Sequence, residues 1–366
     1  MVTSNVATTA GGHSSRAALR EAGVNLVRLF GAEHGLSGTV ADGAAVGDAE
    51  DPQTGLPVVS LYGRHVRPTR EAIDDLDAIL YDIPDVGARF YTYIWTLSHV
   101  MEAAAETGKA VYVLDRPNPI GGDRNAAEGA MLDAANLSSF IGRWEMPIRY
   151  CLTIGELASL WNAERKIGCE LHVVKCTGWR REMHWPATAL PFVPTSPNLP
   201  SYESALFYPG TCLIEGTNLS EGRGTEAPFR MIGAPWANGK ALAAALNDRK
   251  LPGVRAAEAA FIPAGRKYEG QACGGVLLTA TDATALRPVA LGLYLIADLI
   301  RLHPSDFEWL AYPTAANVSG HQHFDRLVGQ MAVRGTLDRQ AAERQIREWT
   351  RAPGWAERVR PHLIYV

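Results

Sequence analysis

The chain has 366 residues, of which 47% are hydrophobic, and its 35 basic and 39 acidic side chains leave a formal net charge of −4. At roughly 100–200 residues per domain, this length predicts two or three domains, and the apolar content excludes an intrinsically disordered chain. The near-neutral charge excludes a protein built mainly to bind nucleic acid, because such proteins carry a strongly basic face. No apolar run is long enough to span a membrane, and no basic stretch followed by an apolar core marks a signal peptide.

The first half of the chain alternates short apolar runs with helical stretches. Strands are predicted at residues 1–3, 24–30, 56–63, 78–83 and 110–115, and helices at 14–22, 69–75 and 91–107. Buried, β-rich runs separated by helices indicate parallel strands joined by βαβ crossovers. We therefore predict that residues 1–150 form a Rossmann-like α/β catalytic domain, which extends to about 235 if the loops of the site are included.

The second half is less regular at its start. Residues 179–236 are rich in Pro, Gly, Trp and Asn, which indicates long functional loops. Thr153 and Glu156 have the spacing of a capping box at the start of a helix. Helices are predicted at 154–165, 202–207 and 287–302, and strands at 169–176 and 274–282. Residues 236–366 are predicted to form a smaller α+β auxiliary domain, so the fold class is α/β with two domains.

Polar side chains follow three predicted strands of the first half at the point where each strand ends. They are Glu33 and His34, Asp82 and Asp85, and Asp115 and Arg116. Ligands of open α/β sheets bind beyond the carboxyl ends of the strands, so we expect a site there. Neither GxGxxG nor GxxxxGK[ST] occurs, which excludes a P-loop NTPase, and we expect no cofactor.

The sequence GAEHG at residues 31–35 places an acid and a histidine between glycines, just beyond a strand end. Glycines allow sharp turns that expose the side chains between them. A glutamate projecting from a strand end into a cleft is a candidate general acid or base, which makes Glu33 a catalytic candidate. His34 either contacts Glu33 or the substrate, or is an ordinary turn residue.

The sequence DIPDVGARFYTYIWTL, which starts at Asp82, joins two acids, one arginine and a row of aromatic residues. A cation directly before a helix is unfavourable for the helix dipole, so we expect Arg89 to pair with a carboxylate. Asp82 and Asp85 are the obvious partners, and a structural ion pair is as good an explanation for them as catalysis. The helical spacing of Tyr91 and Trp95 favours core positions for both.

The sequence EGTNLSEGRGTEAPF at residues 215–229 holds three carboxylates, an asparagine and an arginine among glycines and hydroxyls. An apolar core does not use this composition. The segment therefore predicts a polar site on a loop, and a solvated loop with glycine turns is the alternative.

Several long motifs occur in order along the whole chain: GAEHG, DIPDVGARFYTYIWTL, VLDRPNPIGG, SPNLPS, YPGTCLIEGTNLSEGRGTEAPF and IGAPW. Together they resemble the DUF1343 family, the NamZ-type exo-β-N-acetylmuramidases. The resemblance implies a Rossmann-like domain and a smaller domain with a cleft between them. It also implies a hydrolase that releases terminal β-1,4-linked N-acetylmuramic acid from the non-reducing end of peptidoglycan fragments, so the expected partners are muramyl saccharides, outside the cytoplasm.

Two departures from the family pattern concern the start of the chain. The first residues already read as the tail of a strand, so we expect a longer natural N-terminus. The family's usual GPEHG reads GAEHG here, and Ala32 in place of proline leaves the acid unchanged.

The resemblance makes Glu33 the favoured acid/base. Glu215, Glu221 and Glu226 remain open as the second group, as does the sugar's own acetamido group. Either Arg223 or Arg89 is expected to hold the lactyl carboxylate of muramic acid. The predicted catalytic residues are Glu33, Glu215 and Glu221, and the predicted substrate-binding residues are His34, Asp82, Asp85, Arg89, Tyr93, Asp115, Asn218, Arg223 and Glu226.

Two alternative functions remain open. A metal-dependent hydrolase would use His13, His34, Asp82 and Asp85, although no HxH or HxxxH lies near these acids. A non-catalytic amino-sugar-binding protein would keep the aromatic residues and the arginine without turnover. We predict no metal site.

Overall fold

A computed structural model describes residues 1–41, 43–315 and 317–366. Seven strands of the first half form one sheet: β1 (Val2–Thr3), β2 (Leu29–Gly31), β3 (Ala49–Glu50), β4 (Pro57–Ser60), β5 (Ala78–Asp82), β6 (Ala110–Leu114) and β7 (Leu171–Val174). Their order is β3-β4-β2-β1-β5-β6-β7, and every described pairing is parallel except that of β3 with β4. The predicted Rossmann-like sheet is confirmed.

Four helices belong to this half: α1 (Ser15–Glu21), α2 (Tyr93–Thr107), α3 (Ala134–Leu137) and α4 (Ile154–Glu164). Helix α2 ends where Gly108 adopts the left-handed conformation, with φ of 66°, which glycine adopts at little cost. The predicted capping box of α4 is present, since Thr153 accepts from the amide of Glu156 and the Glu156 side chain accepts from the amide of Thr153.

A second, antiparallel sheet of order β8-β10-β9 lies in the C-terminal part, with β8 (Met231–Ala234), β9 (Val254–Phe261) and β10 (Cys273–Ala280). The helices are α5 (Tyr202–Thr211), α6 (Gly239–Asp248), α7 (Pro288–Leu302), α8 (His323–Val328), α9 (Ala332–Leu337), α10 (Glu343–Trp349) and α11 (Trp355–Val359). Short 3-10 helices occupy Arg124–Ala126, Trp185–Thr188, Cys212–Gly216 and Arg360–His362. The predicted combination of a large, mostly parallel sheet with a smaller α+β part is confirmed.

Helices α5 and α7 cross at two glycines. A Cβ on Gly210 would lie 1.7 Å from the Pro288 carbonyl oxygen, and one on Gly292 would lie 2.2 Å from the Gly210 oxygen. Any larger residue would push the two helices apart. This close crossing fixes the position of the Cys212–Gly216 turn, which follows α5 directly.

One hydrophobic core runs through both sheets. Trp95 lies in it with no exposed surface and stacks on Trp161 at 5.1 Å between ring centroids, so its predicted core position is confirmed. Among the described residues, no helix is long and apolar enough to cross a membrane.

Two predicted elements differ from the structure. The helix at 69–75 is wrong: the segment forms turns, in which the Ala72 amide donates to the Thr69 carbonyl oxygen at 3.1 Å and the Ile73 amide donates to the Arg70 oxygen at 3.0 Å. The strand at 24–30 pairs only from Leu29, because the chain turns earlier and leaves Val27 exposed. The predicted domain boundary stays a prediction.

Candidate active site

A cavity lies between the carboxyl edge of the large sheet and the C-terminal part of the chain. Its lining includes Glu33 and His34 from the loop after β2, and Glu215, Arg223 and His323 from the C-terminal part. We name it the Glu33 cavity. Sequence segments separated by almost 300 residues therefore meet around one space.

Glu33 projects from the sharp turn that follows β2. The turn is made by two consecutive residues with positive φ, His34 at 66° and Gly35 at 69°. One carboxylate oxygen of Glu33 accepts from the Gly43 amide at 2.9 Å, and the other accepts from the Thr92 hydroxyl at 2.7 Å. The half-buried carboxyl group is therefore held at both oxygens.

His34 supports this turn. Its Nδ1 lies 2.7 Å from the Val40 carbonyl oxygen, and the ring packs edge-on against Tyr93 at 6.4 Å. The Tyr93 hydroxyl donates to the Thr195 carbonyl oxygen at 3.0 Å. Burial, together with the charge of Glu33, raises the pKa of Tyr93, so the phenol stays protonated.

Glu215 lies in the 3-10 helix after α5 and is 7% exposed. Its Oε1 accepts from Arg223 Nη2 at 2.5 Å, and its Oε2 lies 2.9 Å from Nε2 of His323, the first residue of α8. Because a carboxylate only accepts hydrogen bonds, Nε2 carries the proton of this contact. The His323 ring also stacks on Tyr312 at 4.6 Å.

The Nδ1 atom of His323 is buried and makes no hydrogen bond with any residue that the structure describes. With the proton on Nε2, a neutral ring presents Nδ1 as an acceptor. The ring lines the cavity, so this nitrogen is a candidate contact for a substrate hydroxyl or a water.

Glu221 lies behind Glu215 rather than on the cavity. Its Oε1 accepts from Arg223 Nε at 2.9 Å, and its Oε2 lies 3.1 Å from Lys267 Nζ. Burial opposes ionisation here, but the charges of Lys267 and Arg223 outweigh it and lower the pKa of Glu221. Burial also lowers the pKa of Lys267. The pair orients Arg223 from behind.

Aromatic rings form much of the remaining lining. Tyr208 packs edge-on against Tyr91 at 6.0 Å and against Phe229 at 4.8 Å, and the Arg223 guanidinium lies 5.0 Å from the Phe229 ring centre. Tyr91 is buried, as its predicted core position requires, and yet it lines the cavity. Aromatic rings suit the apolar faces of a sugar ring.

Arg89 lies outside the cavity lining, and its predicted pairing with Asp82 or Asp85 is wrong. Its guanidinium donates to the carbonyl oxygens of Ala130 at 3.0 Å, Met146 at 2.9 Å and Leu327 at 2.6 Å. Backbone carbonyl oxygens from three separate parts of the chain surround this buried guanidinium in place of the expected carboxylate. Burial lowers the pKa of Arg89 to about 9.

The predicted aspartates at the strand ends contact protein groups. Asp82 forms a two-pronged ion pair with Arg116 at 2.6 and 3.0 Å. Asp115 accepts from the Thr153 hydroxyl at 2.7 Å and from the Tyr365 hydroxyl at 2.7 Å. Neither lines the Glu33 cavity.

The other predicted residues, Tyr93, Asp85, Asn218 and Glu226, also lie outside the lining of this cavity. Burial raises the pKa of Asp85 to about 6. Asn218 donates to the Asp306 carbonyl oxygen at 2.7 Å, and Glu226 is exposed. Within the described ranges, no group of three or more His, Cys, Asp or Glu side chains has the arrangement of a metal site.

Sequence reasoning missed Thr92, Lys267, Tyr312 and His323. The HQH sequence that contains His323 is visible, but it is 108 residues from Glu215, and no local pattern joins the two. Lys267 lies in none of the sequence motifs identified above.

Comparisons with known proteins agree along the whole chain. Residues 1–203 match the family model described as "Exo-beta-N-acetylmuramidase NamZ, N-terminal", and residues 206–365 match its C-terminal counterpart. The chain is 45% identical over 315 residues to the peptidoglycan beta-N-acetylmuramidase NamZ of Bacillus subtilis strain 168, which covers 86% of this chain and 73% of that protein.

Two crystal structures of DUF1343 family proteins from Bacteroides fragilis NCTC 9343 are similar to this fold. One has a TM-score of 0.88 at 33% identity, covering 100% of this chain and 93% of that one. The other has a TM-score of 0.76 at 27% identity, covering 100% of this chain and 92% of that one. With both family models matched, the chain belongs to the NamZ family of exo-β-N-acetylmuramidases.

Proposed function

We propose that this protein is an exo-β-N-acetylmuramidase that releases terminal, non-reducing β-1,4-linked N-acetylmuramic acid from peptidoglycan fragments. The observation that carries the proposal is the presence of Glu33 and Glu215, from two distant parts of the chain, in one cavity. Glycoside hydrolysis needs a carboxyl group at the leaving oxygen and a second group that stabilises the sugar cation. The relative from Bacillus subtilis, named as a peptidoglycan beta-N-acetylmuramidase, supports the same reaction.

Glu33 is the proposed acid/base. It gives its proton to the glycosidic oxygen as the bond from that oxygen to C1 breaks. Water then bonds to C1 and gives a proton to the Glu33 carboxylate, which restores the acid. The Thr92 hydroxyl, 2.7 Å from one carboxylate oxygen, can donate to the ionised form and rotate to accept from the protonated form. This contact therefore holds the carboxyl group in both protonation states.

Glu215 is the proposed second group. Its carboxylate lies on the cavity, whereas Glu221 is tied to Arg223 and Lys267 behind it and Glu226 is exposed on the surface. A carboxylate beside the developing positive charge at C1 stabilises the transition state. The 2-acetamido group of the sugar is the alternative, and near-wild-type turnover by Glu215→Gln would favour it.

Arg223 is the proposed contact for the lactyl carboxylate that distinguishes muramic acid. It lines the cavity, and Glu215 and Glu221 fix its direction through Nη2 and Nε. A planar guanidinium held in one orientation suits a carboxylate ligand.

The test measures release of 4-nitrophenol from 4-nitrophenyl β-N-acetylmuraminide by the wild type and by Glu33→Gln. Loss of a general acid/base is expected to lower kcat by at least about a hundredfold. Glu50→Gln, an exposed glutamate on β3 of the same sheet, serves as the matched control and should keep wild-type turnover. A Glu33→Gln variant within a few-fold of the wild type would overturn the assignment.

A second measurement tests whether muramic acid is the sugar that the enzyme recognises. The corresponding 4-nitrophenyl β-N-acetylglucosaminide lacks only the lactyl group, so the enzyme is expected to turn it over far more slowly. Equal rates on the two compounds would refute recognition of muramic acid while leaving the glycosidase assignment intact.

A further inference from the structure

A second cavity opens at the point where the large sheet changes its winding direction. The chain runs outward from β1 to β2 and β4 and then returns to β5, which pairs with the other side of β1. The loops after β1 and β5 therefore leave in different directions. In open α/β sheets this divergence forms the crevice in which ligands bind. We name it the switch-point cavity.

Its lining is mostly apolar. Val6 follows β1, Pro84 follows β5, and Leu190, Phe192 and Val193 come from the loop beyond the Trp185–Thr188 helix. Such a lining, with a few convergent polar groups, is typical of small-molecule sites.

Three polar atoms in this lining are buried and make no hydrogen bond with any described residue: Asp85 Oδ1, Trp185 Nε1 and Thr195 Oγ1. Asp85 is only 8% exposed, and its other oxygen accepts from the Gly87 amide at 2.7 Å and from the Tyr150 hydroxyl. Buried polar atoms are nearly always paired, so three unpaired atoms in one cavity indicate a missing partner.

The unpaired groups of the cavity favour a neutral partner over an anion. Arg116, the lining cation, is neutralised by Asp82 at 2.6 and 3.0 Å and also donates to the Thr8 carbonyl oxygen at 3.0 Å. The remaining groups are a carboxylate that needs a donor, an indole N–H that needs an acceptor, and the Thr195 hydroxyl, which can serve as either. A secondary amide supplies both, and its methyl group suits the apolar lining.

We propose that the switch-point cavity is a second binding site, separate from the catalytic one, for the acetamido group of an amino sugar. The amide N–H donates to Asp85 Oδ1, the amide oxygen accepts from Trp185 Nε1, and the methyl group contacts Phe192. The choice of a sugar rests on the neighbouring site: Thr195 lines the switch-point cavity, and the next residue, Ser196, lines the Glu33 cavity. The identification of the ligand as a sugar therefore depends on the proposed function of the neighbouring cavity. Binding of an acetamido group does not itself require turnover.

The experiment titrates N-acetylglucosamine into protein labelled with ¹⁵N at the indole nitrogens. The chain has nine tryptophans, and the described lining of the Glu33 cavity includes none of them, so binding there does not report directly on an indole. The Trp185 signal, assigned by its absence in Trp185→Phe, is expected to shift and saturate with N-acetylglucosamine and to stay unchanged with glucose. No shift, or an equal shift with glucose, would overturn the proposal.

Asp85→Asn tests the polarity of the site. The Gly87 and Tyr150 donors hold the amide oxygen on their side, so an NH₂ group would face the ligand N–H. Binding is expected to weaken about tenfold, the effect of one lost hydrogen bond. Asp74→Asn, exposed before the amino end of β5, is the control and should bind as the wild type does.

Two further measurements distinguish a sugar from an amino-acid derivative as the ligand, and this second site from the proposed catalytic site. Equal or tighter binding of N-acetyl-L-alanine amide would overturn the sugar assignment. Glu33→Gln is expected to keep the Trp185 shift even where it loses turnover, so failure at one site is distinguishable from failure at the other.

Discussion

The contact between His323 and Glu215 gives the most direct test of the proposed role of the Glu33 cavity. His323→Phe keeps a ring that can stack on Tyr312 but removes both nitrogens, so Glu215 Oε2 loses its 2.9 Å partner while Arg223 stays on Oε1. A hydrogen bond to a charged group contributes about 1.5–3 kcal/mol, which corresponds to roughly a 10- to 150-fold change. We expect kcat/KM on the muraminide substrate to fall by that factor.

The chain offers a closely matched control. His172 stacks on Tyr112 at 4.6 Å and its Nε2 lies 3.1 Å from Glu170 Oε1, the same pair of contacts on exposed strand β7. His172→Phe should therefore change neither kcat/KM nor KM. Urea unfolding of both variants separates lost folding from lost catalysis.

The division between kcat and KM identifies the role. If His323 holds Glu215 in place, kcat falls and KM changes little; if its Nδ1 contacts the bound sugar equally in the ground state, KM rises instead. A His323→Phe variant with kcat/KM within twofold of the wild type, at unchanged stability, would refute the reasoning.

Two further predictions concern the groups behind the cavity. Lys267→Met leaves the buried Glu221 carboxylate with Arg223 but without its 3.1 Å partner, and the free energy of unfolding, measured in urea, should fall by about 3 kcal/mol; a change near zero would contradict the pairing. Arg89→Met removes the donor of the buried Ala130 and Leu327 carbonyl oxygens, whereas the Met146 oxygen keeps the Leu132 amide at 3.2 Å; a loss of about 3 kcal/mol is expected even after the relief of burying a charge. Unfolding midpoints unchanged from wild type would show that water replaces the guanidinium.

The parts of the fold that sequence could predict are those with local causes. The Thr153–Glu156 capping box and the stop at Gly108 each depend on residues within one helical turn, and both are present. The alternation of buried runs predicted the parallel sheet for the same reason. The helix at 69–75 was wrong: its local pattern favours a helix, but the segment folds as turns, and Arg28 from a distant part of the chain donates to the Ala72 carbonyl oxygen there.

The candidate site shows the same limit. Glu33 could be predicted because the glycines that expose it are its neighbours in sequence. His323 could not, since its significance depends on a Glu215 contact across 108 residues. Asp115 was misleading in the opposite way: an acid at a strand end has the pattern of a ligand contact, yet its partners here include the Tyr365 hydroxyl from the other end of the chain.

The short segment from Arg89 to Thr92 connects the two sides of the Glu33 cavity. Thr92 donates to Glu33, while Arg89 donates to Leu327 near the C-terminal end of α8, where a cation is favourable for the helix dipole. The first residue of that helix is His323, the partner of Glu215. One segment therefore contacts the proposed acid/base directly and the proposed second carboxylate through helix α8. This explains why an arginine that never reaches the cavity stands three residues before a threonine that does.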